Sequence, residues 1–124
     1  MTYSFPFEKL EVWKNAKEFV IEIYSVTKDF PVNEQYGLAS QIKRAAVSIA
    51  SNLAEGTSRS SLKDQAHFSQ LAFSSLMEVA CQSIIARDLG FISEEKYQFL
   101  RQGIELLSKQ LNALRSSQIK RANK

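Results

Sequence analysis

A chain of 124 residues has room for one domain, and a domain of this size can bury a core without disulfides or metals. Its 16 basic and 13 acidic side chains leave a formal charge of +3, too mild to argue alone for nucleic acid or an anionic membrane. The single cysteine, Cys81, excludes an intrachain disulfide and a cysteine-based zinc site within one chain, and suits a reducing cytoplasm. The opening residues carry acids and lysines where a secretory signal needs an apolar run, and no segment is apolar enough for a bilayer, so a soluble, cytoplasmic protein without a membrane partner is expected.

Residues 1–10 hold Pro6 and the aromatics Tyr3, Phe5 and Phe7 without clear periodicity. They read as an arm whose rings pack on the chain's own bundle or on a neighbouring subunit. From Glu11 the pattern is helical. Trp13, Ala16, Val20, Ile23, Thr27 and Phe30 alternate spacings of three and four, and Val12, Phe19 and Val26 add a second line that hints at contacts on two sides. Pro31 stops this helix, and Asn33 can cap the next.

The stretch from Gln35 to Arg59 carries three helical stripes. Leu38, Ile42, Ala45, Ile49 and Leu53 make a core face. Ala39, Ala46, Ala50 and Ala54 make a stripe of small side chains that lets a neighbouring helix approach closely. Gln41, Arg44, Ser48, Asn52 and Glu55 make a polar stripe, which is either solvated or a buried hydrogen-bonding seam. In the second case Arg44 needs a carboxylate partner, because an unpaired buried charge is costly.

Gly56 is placed to end that helix through a left-handed residue. The polar loop that follows lacks a preceding strand and the GxxxxGK[ST] pattern, so it is no P-loop. Ser61 with Asp64 has the form of a capping box. A helix from about Leu62 to Leu89 follows, with one apolar line through Leu62, Ala66, Phe73, Leu76, Met77, Ala80 and Ile84 and another through Phe68, Leu71, Ala72, Val79 and Ala86. That is more apolar surface than one core face needs, and it points to an oligomeric contact. Glu78 shares a face with Ser75 and Gln82 and is the acid best placed to meet Arg44. Gly90 closes the helix, and Ser93 with Glu94 and Glu95 opens the last one. Tyr97, Leu100, Ile104, Leu107, Leu111 and Leu114 form its seam, and it is expected to fray after Arg115. Residues 116–124 have little apolar content and read as a basic tail free to be disordered.

The runs FEKLEVWKNAKEF, FPVNEQYGL, QIKRAAVSIASNLAEGTSR and AFSSLMEVACQ occur in this order, and the likeness they carry covers roughly residues 7–115. Together they resemble the 23S rRNA intervening-sequence protein family, also called the S23 or four-helix-bundle protein family. The resemblance implies a small four-helix bundle without enzymatic activity. It extends more distantly to the accessory protein of diversity-generating retroelements, a pentameric bundle that binds nucleic acid and a reverse transcriptase.

The residues give no catalytic constellation of their own. His67 and Cys81, the only histidine and thiol, fall about 21 Å apart on one helix. The Glu-x-x-His motifs of a di-metal bundle do not occur. The expectation is therefore an all-α, antiparallel up-down-up-down four-helix bundle, comprising an arm over 1–10, the bundle over 11–115 and the tail over 116–124. Its core is Trp13, Val20, Ile23, Leu38, Ile42, Ile49, Leu53, Phe73, Leu76, Leu100, Ile104, Leu107 and Leu111. No enzyme, metal or cofactor is expected. The protein should be a homo-oligomer, by resemblance a pentamer, that associates with RNA or DNA through Lys43, Lys109, Arg115, Lys120 and Arg121. The alternative is a scaffold for a protein partner.

Overall fold

The computed structural model describes residues 3–124; the first two residues of the expected arm lie outside them. Four α-helices follow in order, α1 Glu11–Thr27, α2 Leu38–Thr57, α3 Leu62–Asp88 and α4 Glu94–Ala122. Their connections are short, so successive helices run antiparallel. Both α1 and α3 pack on α2 and on α4, which closes an up-down-up-down bundle. No strand occurs among the described residues. One end of the bundle, the termini end, gathers the start of α1, the α2–α3 loop and the last turns of α4. The other, the turn end, holds the α1–α2 and α3–α4 connections.

The caps explain where the helices begin and stop. The Ser61 hydroxyl accepts from the Asp64 amide at 3.0 Å and the Ser93 hydroxyl from the Lys96 amide at 3.1 Å, each satisfying an amide that the helix itself leaves unpaired. Gly90, expected to close α3, takes φ 79° there, a left-handed geometry that glycine adopts without strain. At α2 the expected cap differs: Asn33 lies in a 3-10 turn, Val32–Glu34, and the Glu34 carboxylate accepts from the Leu38 amide at 3.2 Å. Gly56 also differs. It sits within α2, and a Cβ there would meet the Phe68 Cβ at 3.1 Å. Close approach of α2 and α3, not a left-handed turn, is what suits glycine at that position.

Most of the expected core is buried, with Ile23, Ile42, Ile49, Leu76, Leu100, Leu107 and Leu111 nearly inaccessible. Trp13, Val20, Leu38 and Phe73 pack only at its margin. On α1 the core face runs through Val12, Ala16, Phe19, Ile23 and Val26, so the presumed second line is itself core. Two lines one residue apart lie within a single apolar arc, and the bundle axis falls between them. On α3 the buried face is Ala66, Ser69, Ala72, Leu76, Val79, Ser83 and Ala86, again between the two apolar lines. Its small residues draw α3 close to its neighbours. Ser83 satisfies its hydroxyl on the Val79 carbonyl one turn back. Large residues of the α3 lines, Leu71, Met77 and Ile84, are left exposed.

The tail expected to fray after Arg115 is helical to Ala122. Gln118 anchors it. Only 7 % exposed, its Oε1 accepts from the Ser69 hydroxyl of α3 at 2.7 Å. Ile119 is half-buried one residue on. A stretch poor in apolar residues is held because its one inward amide finds a buried partner.

Candidate nucleic-acid interface

Antiparallel topology decides which charges meet. The last turns of α4 bring Arg115, Lys120, Arg121 and Lys124 to the termini end, and the α2–α3 loop with the start of α3 brings Arg59 and Lys63 to the same end. The start of α1 adds Lys14. Two of these cations have ion-pair partners, Arg59 with Glu55 at 3.2 Å and Lys14 with Glu11 at 3.9 Å. Lys63, Lys120, Arg121 and Lys124 form no ion pair among the described residues. Arg115 is half-buried, and its Nε has no hydrogen-bond partner there.

The turn end has the opposite character. Two of its cations are ion-paired, Lys96 with Asp29 at 2.6 Å and Arg87 with Asp88 and Glu94 at 3.1 and 3.8 Å, while Lys28 forms no ion pair among the described residues. Hydrogen bonding to Lys96, and its charge, hold the Asp29 carboxyl below its ordinary range. Glu34 and Glu95 add negative charge without an ion-pair partner among the described residues. Unpaired positive charge is thus denser at the termini end than at the turn end, where acids outnumber cations.

The five basic residues singled out from the sequence therefore separate. Arg115, Lys120 and Arg121 come together at the termini end. Lys109 lies earlier in α4, on the rim of a cleft of about 370 Å³ walled by Met77, Ala80 and Ile84 of α3 and Ile104 of α4. Lys43 lies in the second turn of α2, nearer the turn end, its ammonium 5.3 Å from the centre of the Tyr24 ring. Sequence reasoning missed Arg59 and Lys63, although the order of antiparallel helices alone places the α2–α3 loop beside the end of α4.

The polar stripe of α2 is a seam only in its middle. The Ser48 hydroxyl meets that of Ser75 at 2.9 Å, and the Asn52 amide donates to the Ser48 carbonyl and hydroxyl at 2.9 and 3.0 Å. Gln41, Arg44 and Glu55 are exposed, as is Glu78. Arg44 and Glu78 form no ion pair among the described residues, and the Glu78 carboxylate instead accepts from Gln82 at 3.4 Å. Short side chains fit between the closely packed α2 and α3, whereas longer charged ones reach water at the flanks.

Below Asn52 the termini end opens into a cleft of about 230 Å³. Leu10, Leu53 and Leu114 form its apolar walls; Asn52, Thr57, Gln65, Ser69 and Gln118 supply its polar groups, and Arg121 stands among them. Gln65 also donates to the Arg59 carbonyl at 2.9 Å, tying the loop to the cleft. No group of three or more histidine, cysteine, aspartate or glutamate side chains gathers to hold a metal among the described residues. No helix there is long and apolar enough to cross a membrane.

The sequence profile of the 23S rRNA-intervening sequence protein matches residues 8–113, nearly the whole bundle. The chain belongs to the 23S rRNA-intervening sequence protein family. A crystal structure of a protein of unknown function from the S23 ribosomal protein family of Bacteroides thetaiotaomicron VPI-5482 superposes with a TM-score of 0.76. It is 25% identical in sequence, and the match covers 83% of this chain and 96% of that one. No curated protein matches. Membership in the 23S rRNA-intervening sequence family thus accounts for the bundle but names no ligand for the cationic end.

Proposed function

We propose that this protein is a non-enzymatic, homo-oligomeric helical bundle that associates with nucleic acid through its termini end. The observation that carries this reading is the clustering of the unpaired cations Lys63, Lys120, Arg121 and Lys124 at the termini end, against a turn end where Asp29, Glu34, Asp88, Glu94 and Glu95 outnumber the cations. The family's association with an insert in ribosomal RNA supports it. Self-association is supported by apolar side chains exposed on two sides, Ile21 and Tyr24 on α1 and Met77 and Ile84 on α3. Distinct patches on two sides suit a head-to-tail contact that closes into a ring, and the resemblance to the pentameric accessory protein of retroelements suggests five subunits. A ring would repeat the cationic end once per subunit and so concentrate a modest charge.

Phosphate contacts release counterions, so affinity for RNA should fall linearly in log salt concentration. Replacing Lys63, Lys120, Arg121 and Lys124 together with glutamine should flatten that slope while leaving the helical spectrum unchanged. No binding of structured or single-stranded RNA or DNA at about 50 mM salt, where such contacts are strong, would overturn the proposal. The cleft between Met77 and Ile104 would then favour a protein-partner scaffold.

A further inference from the structure

Three features that nucleic-acid association does not require coincide at the termini end. The first is the cleft beside Asn52, whose chemistry is that of a base pocket. Leucines wall it, and a carboxamide from α2 and another from α4 stand within it. The Gln118 side chain is only 7 % exposed, and its Oε1 is taken by Ser69, yet its Nε2 donates to no group among the described residues. Asn52 spends its Nδ2 on Ser48 and leaves its Oδ1 as an acceptor. One unused donor and one unused acceptor between apolar walls suit a flat heterocycle with a hydrogen-bonding edge.

The second feature is the arm. Tyr3 and Phe5 are 75 % and 53 % exposed. Their rings continue an array in which Tyr3 meets Phe5 edge-on at 5.3 Å, Phe5 stacks on Phe7 at 5.6 Å, and Phe7 meets Trp13 of α1 at 4.8 Å. The array is fixed to the bundle through Trp13, and the chain then passes through Leu10, itself a wall of the cleft. Aromatic rings held in water by other aromatic rings present open π-faces. The third feature is the cationic surround, with Arg121 in the cleft lining and Arg59 joined to it through Gln65.

We infer that the termini end is a single-strand site: one unstacked base enters the cleft between Asn52 and Gln118, neighbouring bases stack on Tyr3 and Phe5, and Arg59 and Arg121 hold the phosphates. Duplex offers none of these bases, because its edges are paired and its faces stacked. Stacking on aromatic side chains combined with a basic track is the recurrent physical basis of single-strand binding. This inference rests on the nucleic-acid reading above and sharpens it to a ligand class.

The test uses the full chain and two fluorescent RNA probes, a mixed-sequence single strand and the same strand in duplex, titrated by anisotropy at fixed salt. Single strand should bind at least tenfold more tightly than duplex. Tyr3→Ala with Phe5→Ala removes only exposed rings. It should weaken single-strand binding by about tenfold, in keeping with stacking energies, and leave duplex binding unchanged. Gln118→Glu keeps an acceptor for Ser69 but removes the donor, and should weaken single strand selectively, with the circular dichroism spectrum and melting temperature as controls on folding. Equal binding of the two probes, or an aromatic double variant that binds single strand as the wild type does, overturns the single-strand inference and leaves nucleic-acid association standing. Absence of binding to both probes at about 50 mM salt removes both.

Discussion

Arg44 and Asn52 belong to one stripe of α2 and behave differently because of side-chain length and the distance to α3. Arg44→Ala should leave the denaturation midpoint within about 0.5 kcal/mol of wild type, since an exposed arginine without an ion pair contributes little. Asn52→Ala should cost about 1 kcal/mol, because it removes the donor to Ser48 in a half-buried seam. The stripe was legible in the sequence, but its depth was not. A heptad pattern says which residues share a face, whereas burial depends on how closely the next helix approaches, and Gly56 and Ser69, small residues at the α2–α3 and α3–α4 contacts, have no periodic signal of their own. Glu22 offers a pH test at the same scale. Burial first, then the like charge of Glu18, raise its carboxyl above the ordinary range. Ionised Glu22 therefore opposes folding at neutral pH, and its contribution is relieved as pH falls through the raised pKa. Glu22→Gln should raise the melting temperature near neutral pH, and the difference from wild type should vanish under acid conditions. Asp29 has the opposite sign, its stabilising contribution being lost as pH falls through its lowered pKa.

At the scale of the helix, α1 and α4 meet where Gly103 gives way to Phe19. A Cβ on Gly103 would stand 2.9 Å from Phe19 Cδ1, and that ring is only 2 % exposed, with little room to move. Alanine at a mid-helix glycine gains up to about 1 kcal/mol of helix propensity, but overpacking a tight contact costs about 1–3 kcal/mol. Gly103→Ala should therefore destabilise, and urea denaturation would show it as a lowered midpoint with unchanged slope. The four helices and their Ser61 and Ser93 caps could be read from sequence because each signal is local. The last two turns of α4 could not, since their stability comes from Gln118 reaching Ser69 across the bundle. Deleting residues 116–124 should consequently cost about 1–3 kcal/mol through the lost buried hydrogen bond and exposed apolar contacts, where a disordered tail would cost nothing.

For the whole molecule, the proposed assembly is checked by light scattering at micromolar concentration. A homo-oligomer is expected, and aspartate substitutions at Met77 and Ile84 should dissociate it while sparing the fold, because both side chains are exposed on each chain. The basic character of the carboxy-terminal run was plain in the sequence. That Arg59 and Lys63 join it, while Lys43 and Lys109 do not, follows from the expected antiparallel order, although a reading by composition along the chain passes over it.

Antiparallel helices largely cancel one another's backbone dipoles, so the lengthwise asymmetry of this bundle resides in its side chains. The protein is therefore a small electrical compass whose needle can be reversed or erased by surface substitution without touching the core. Near a polyanion it should stand upright, termini end inward, and expose its turn end, with Asp29, Glu34, Asp88, Glu94 and Glu95, to the outside. A strand coated in this way wears an acidic outer skin that repels a second polyanion. Coated strands should consequently stay apart rather than be bridged into aggregates.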